Sequence, residues 1–99
     1  MKITFKRLVK SPIDGKKWRV YLLNEEGRER HVDFGASGYQ DYTQHNDAIR
    51  KALYMLRHKS REDWTKAGVF TAGFWSRWLL WNRSGVSASL ADVRERFNL

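Results

Sequence analysis

A period of two governs the first third of the chain, and a helical spacing replaces it afterwards. Ile3, Phe5 and Val9 share one parity against Lys2, Thr4 and Lys6, the alternation of a half-buried strand. Ser11-Pro12-Ile13-Asp14-Gly15 then marks a turn, where proline fixes φ and glycine supplies a positive one. Beyond it Trp18, Val20 and Leu22 face one way and Lys17, Arg19 and Tyr21 the other, so the second strand has an apolar face and a basic, aromatic one. Asn24-Glu25-Glu26-Gly27 closes a hairpin, and residues 28–34 form a third strand with Val32 and Phe34 on the core side. The simplest arrangement of the three is an antiparallel meander.

From Gly35 to Tyr42 the composition is that of a loop, and Thr43 or Asn46 is placed to cap a helix. Ile49, Ala52, Leu53 and Leu56 fall at i, i+3, i+4 and i+7, an apolar stripe of the kind that faces a core, with Arg50, Tyr54, Arg57 and Arg61 on the opposite face. Ser60 and Asp63 fit a capping box for a short helix through Trp64. Thr71 caps a third helix over 72–82, in which Phe74, Trp75, Trp78, Leu79, Leu80 and Trp81 leave only Ser76 and Arg77 clearly polar, so most of it is expected to be buried. Gly85 breaks it, and Ser87 opens a last helix carrying Leu90, Val93 and Phe97 on one side. No internal repeat, linker or low-complexity segment interrupts the pattern. The expected fold is α+β, one domain over 1–99, with an N-terminal three-stranded antiparallel meander (1–34) packed against three to four C-terminal helices (43–98).

Composition narrows the chemistry. A chain of 99 residues supports one core, and 41% hydrophobic content with five Trp supplies it without disulfides or a structural metal. The absence of Cys removes thiol catalysis and Cys-ligated zinc, and it fits a reducing compartment. The N-terminal residues lack the apolar run of a signal peptide, and no segment reaches the roughly 18 apolar residues of a membrane span, so an intracellular or virion protein is expected, neither secreted nor membrane-bound. Charge changes the picture most: 19 Lys+Arg against 11 Asp+Glu give a formal +8, with a pI near 10.1, which favours polyanionic partners. Seven basic residues among the first 20 oppose only Asp14, and Arg50, Lys51, Arg57, Lys59 and Arg61 follow one another with no acid between them.

Two surfaces therefore become candidate nucleic-acid contacts: Lys17, Arg19 and Tyr21 on the strand, and Arg50, Lys51, Tyr54, Arg57 and Arg61 on the helix. Lys and Arg neutralise phosphates, and Tyr stacks on a base or lies against a sugar. The plain alternative is a solubilising surface of solvated charges. His45, Asp47, His58 and Glu62 are of metal-ligating type, but His45 and His58 lie near opposite ends of one helix, roughly 18 Å apart at a 1.5 Å rise. Asp47 and His58 then read as a first-turn acid and a last-turn base that suit the helix dipole. No metal or cofactor is expected. Asp41-Tyr42-Thr43 lacks any Walker or Gly-x-Gly-x-x-Gly context, so the start of a helix explains it better than a phosphate-binding turn. The Trp-rich segment reads as core, with an aromatic docking surface through Trp75 or Trp81 as its alternative.

Several separated motifs carry a resemblance: Asp41-Tyr42-Thr43, His45, Asp47, Arg50-Lys51, Arg57-His58, Glu62-Asp63-Trp64, Thr71-Ala72-Gly73-Phe74, and Ser76-Arg77-Trp78-Leu79-Leu80-Trp81-Asn82. Together they resemble a family of small basic proteins encoded by large DNA viruses of algae and amoebae, with Arg83-Ser84 standing where that pattern has Lys-Pro. The likeness implies a viral protein and a virion component. Charge and resemblance together lead to the expectation of a non-enzymatic nucleic-acid-binding protein, with duplex DNA as partner and a role in organising or packaging a viral genome. The competing expectation is a structural or interaction protein of the virion that contacts other virion proteins.

Overall fold

Alternating apolar residues build β1 (Thr4–Lys10), β2 (Lys16–Leu23) and β3 (Glu29–Ala36), paired antiparallel in the order β1-β2-β3. The computed structural model describes residues 2–99. The Asn24 side chain closes the second hairpin, its Oδ1 accepting from the N–H groups of Glu26 at 3.0 Å and Arg28 at 2.9 Å. In β1 the parity read from the sequence needs correcting. Phe5 pairs with Leu22 and Leu8 with Val20, across a register shift between Phe5 and Arg7. The additional residue is a β-bulge at Lys6, which reverses the alternation after it. Leu8, not Val9, therefore joins Ile3 and Phe5 against the core.

The sheet contributes Ile3, Val20, Leu22, Val32 and Phe34 to that core, and the C-terminal half contributes Val69, Phe74, Trp75, Leu79, Leu80 and Val93. Trp75 is fully buried, and its indole N–H donates to the Val69 carbonyl at 2.7 Å, so a large apolar ring is interred with its one polar group satisfied. The chain is thus an α+β protein, a three-stranded antiparallel sheet followed by helices.

Asx chemistry sets the helix starts, at Asp41 as the helix-start reading of Asp41-Tyr42-Thr43 expected, but not at Thr43 or Asn46. Asp41 caps α1 (Tyr42–His45) through a reciprocal capping box with Gln44. Asn46 does not cap the next helix; its left-handed backbone ends α1. Asp47 is the cap of α2 (Ala48–His58) rather than a first-turn acid, its Oδ1 accepting from the N–H groups of Ile49 and Arg50 at 3.0 and 3.2 Å. The expected helix through Trp64 is absent. A 3₁₀ turn (Lys59–Arg61) extends α2, and Asp63 accepts from the Thr65 N–H and hydroxyl at 2.9 and 2.5 Å, leading into a second 3₁₀ turn (Lys66–Gly68). That turn folds back so tightly that a Cβ on Gly68 would lie 2.0 Å from the Asp63 carbonyl oxygen.

Thr71 caps α3 (Ala72–Trp75) as expected, but the segment continues as a π-helix (Ser76–Leu80) and stops before Trp81. Side chains take over its last carbonyls: Asn82 Nδ2 donates to Trp78 O at 3.1 Å, and Arg77 to Trp81 O at 2.8 Å. Arg77 is buried against the Trp78 ring, its guanidinium carbon 4.3 Å from the centroid, and burial lowers its pKa. The last helix, α4 (Val86–Phe97), begins at Val86 behind Gly85, not at Ser87. Asp92 ties it to the preceding turn, accepting from Asn82 at 2.7 Å and from Arg83 and Arg96 at 3.1 and 3.3 Å.

The largest departure concerns α2. Its apolar stripe faces outward, with Ile49 74%, Leu53 48% and Leu56 77% exposed, whereas Tyr54 on the opposite face is buried. Tyr54 lies flat on Trp81, with centroids 4.4 Å apart and planes within 5°, and its other face meets His58 at 4.2 Å. Lys51 follows it inward, donating to Asn82 O at 2.7 Å. The aromatic stack and this charge-assisted hydrogen bond fix the rotation of the helix.

Replacing Tyr54 with Ala is therefore expected to destabilise the protein by about 3 kcal/mol, as truncating a buried aromatic does. Hydrogen exchange should show the loss of protection concentrated in α2 and spared in β2 and β3. Asp92 gives a pH test. Hydrogen bonds from Asn82, then Arg83 and Arg96, hold its carboxyl at about 2, below the usual 3.8. A depressed carboxylate stabilises the fold above its unfolded pKa, and that contribution fades as pH falls from about 3.8 through about 2. Thermal melts across this window should show a shallower acid-side decline for Asp92→Asn than for the parent.

Candidate nucleic-acid interface

The sheet-face candidates are already compensated. Lys17 Nζ lies 2.7 Å from Asp41 Oδ2 and 3.0 Å from Gln44 Oε1, which ties β2 to the cap of α1. Arg19 grips Asp33 with two hydrogen bonds, at 2.9 and 3.1 Å, and also donates to the Tyr21 hydroxyl at 3.3 Å. That grip raises the Arg19 pKa and holds the Asp33 carboxyl below the usual range. Tyr21 is half-buried beneath the Arg7 guanidinium, 3.8 Å from its ring centroid. The basic strand face is thus a set of closed pairs, because β3 places Asp33 directly across from Arg19.

On the helix the candidates separate. Arg50, Arg57 and Arg61 are exposed and form no ion pair among the described residues. Lys51 and Tyr54 must be withdrawn from the surface set. Lys51 is turned inward over the Tyr42 ring, its pKa lowered by burial, and Tyr54 is buried in the stack, which pushes its hydroxyl pKa up.

A cleft of about 680 Å³ brings part of the two patches together. One wall is the segment from Gly35 to Asp41, the end of β3 and the loop after it, with the start of β2; the other is α2, and Tyr54, Leu80 and Trp81 form part of the lining. Gly35 makes the loop's approach possible: its φ is +82°, and a Cβ there would lie 2.9 Å from Leu80 Cδ1. Lys16, Lys17, Arg50 and Arg57 line the cleft, whereas Arg19, Tyr21 and Arg61 do not. Its two carboxylates are committed elsewhere. Asp41 holds Lys17, and Glu62 binds His58 Nδ1 at 2.9 Å and accepts from the Trp64 indole at 2.9 Å. The charge left open to a ligand is that of Lys16, Arg50 and Arg57. A second recess of about 480 Å³ shares Lys16, Lys17 and Asp41 with the cleft and adds Lys10. Basic residues therefore run from Lys10 through Lys16 to the helix.

Tyr39 also lines the cleft and is 74% exposed. The sequence reading missed it, together with Lys16 as a site residue. The available signal was an aromatic residue next to Gly38 in a loop, where no core requires it. His45 Nδ1 accepts from the Asp47 N–H at 2.9 Å, while His58 pairs with Glu62, so the four metal-type residues serve two separate structural tasks. The Trp-rich segment packs inward, with Trp75 buried and Trp78 and Trp81 half-buried. No helix among the described residues is long and apolar enough to cross a membrane.

Searches of the curated proteins and of the solved structures returned no match. Residues 6–58, which run from β1 through the loop to the end of α2 and so include most of both cleft walls, match a family of unknown function. The chain belongs to that family, DUF5754.

Proposed function

We propose that the protein binds nucleic acid in the cleft between the Gly35–Asp41 loop and α2. The observation that carries this reading is the convergence of Lys16, Arg50 and Arg57, none in an ion pair among the described residues, on a cleft that also presents exposed Tyr39. In this reading the three cations contact phosphates, and Tyr39 lies against a sugar or stacks on an accessible base. Binding of this type is charge-driven and modest in sequence preference, and it requires no catalytic group. Duplex DNA is the expected partner. The resemblance to proteins of large DNA viruses supplies the setting, organisation or packaging of a viral genome.

Fluorescence anisotropy with duplex, single-stranded and RNA probes across a salt series tests the proposal. Affinity for duplex DNA should fall steeply with salt, with a log–log slope of about −0.9 per phosphate contact. Replacing Lys16, Arg50 and Arg57 together with Glu should abolish binding without lowering the melting temperature. Arg19→Gln should leave the affinity within about twofold, since Arg19 already belongs to Asp33. Tyr39→Ala should weaken binding of single-stranded probes by about 1–3 kcal/mol, the scale of one base–aromatic stack. Parent-like affinity in the triple variant would refute the cleft as the site.

A further inference from the structure

The outward face of α2 is a second surface that adjoins the cleft and shares Leu53 with it. Ile49, Leu53 and Leu56 are 74%, 48% and 77% exposed, and they form one stripe over two turns. Ala48 and Ala52, exposed on the same side of the helix, leave room for a close neighbour. Three large aliphatic side chains aligned in solvent are more than the scattered apolar residues of an ordinary surface. The helix does not need this face for its own docking, which rests on Tyr54, Lys51 and His58.

Charge decides what fits there. From Ala48 to His58 the helix carries no carboxylate, and Arg50 and Arg57, two turns apart, border the stripe along its cleft side. A second copy laid on this face would bring like-charged arginines together in a molecule already at +8. An anionic bilayer would be met best by cations along both borders of the apolar face, whereas the other border here is Ala52 and Met55, with Lys59 only at its C-terminal end. A partner helix with an apolar seam and acids along one edge satisfies both features at once.

We infer that α2 is a docking surface for an acidic amphipathic helix of another protein, seated on Ile49, Leu53 and Leu56 with its carboxylates at Arg50 and Arg57. Ile49 and Leu56 lie outside the cleft, whereas Leu53, Arg50 and Arg57 also line it, so a docked helix and a nucleic acid would compete for the two arginines.

Selection from a random 16-residue peptide library displayed on phage tests this, with the full chain as bait. Recovered peptides should be rich in Asp and Glu and should repeat Leu, Ile or Phe at helical spacing. Synthetic versions should lose at least about tenfold in affinity for Ile49→Ser/Leu56→Ser, the scale of two exposed aliphatic contacts. They should lose a similar factor for Arg50→Glu/Arg57→Glu. Circular dichroism melts establish that both variants remain folded, and the Ser variant should bind DNA like the parent. Recovery of peptides lacking acids or helical spacing, or equal affinity for parent and Ser variant, would overturn the inference. So would Leu56-dependent self-association in sedimentation, or Leu56-dependent binding to phosphatidylserine vesicles with no peptide recovered.

Discussion

The sandwich of Tyr54 between Trp81 and His58 decides how the two halves of the molecule meet. A helix of 11 residues contributes little stability of its own and is held by whatever it docks on. Here the docking surface is a flat indole, and a parallel phenol 4.4 Å away uses that surface more fully than a branched aliphatic side chain could. His58 closes the other face of Tyr54, Glu62 holds His58, and Trp64 holds Glu62. This chain of contacts runs from the end of the π-helical segment back past α2. Once it is in place, Lys51 is committed to the Asn82 carbonyl, Arg50 and Arg57 reach the cleft, and the aliphatic stripe is left in solvent.

Electrostatic meaning comes from pairing more than from the total. With 19 basic residues against 11 acidic ones, compensation is necessarily incomplete, and the fold settles where the remainder sits. Cross-strand geometry assigns Asp33 to Arg19, and the capping of α1 brings Asp41 to Lys17. Asp92 gathers Arg83 and Arg96. Asp33, Asp41 and Asp92 are thus spent on structural cations of the sheet and the C-terminal segment. Part of what remains uncompensated, Lys16, Arg50 and Arg57, borders the Gly35–Asp41 segment and α2 and lines the cleft.

Much of the fold was legible. The period-two alternation and the turn residues gave three strands, and the Thr71 cap and the crowding of Trp and Leu after it gave a buried C-terminal segment. Errors arose where a local pattern admits two tertiary outcomes. The bulge at Lys6 reversed the parity of β1 without any glycine or proline to announce it. Asn46 and Asp47 are both good cap residues, and only the left-handed turn at Asn46 assigns them to different helices. The helix expected through Trp64 gave way because Asp63 bonds forward to Thr65 instead of opening a helix at Ser60.

By itself the sequence determined the strand order along the chain, the amphipathic character of α2, the location of the aromatic core and the surplus of positive charge. These follow from spacing and composition, which act locally. It could not determine which face of α2 turns inward, because amphipathicity measures a difference between two faces and not the surface each will meet. Nor could it tell a paired cation from an open one, since Asp33 and Asp41 reach Arg19 and Lys17 across 14 and 24 residues of chain. Tertiary structure settled both by supplying partners from distant segments: an indole for Tyr54, a carbonyl for Lys51, and carboxylates for the strand but, among the described residues, none for Arg50 and Arg57.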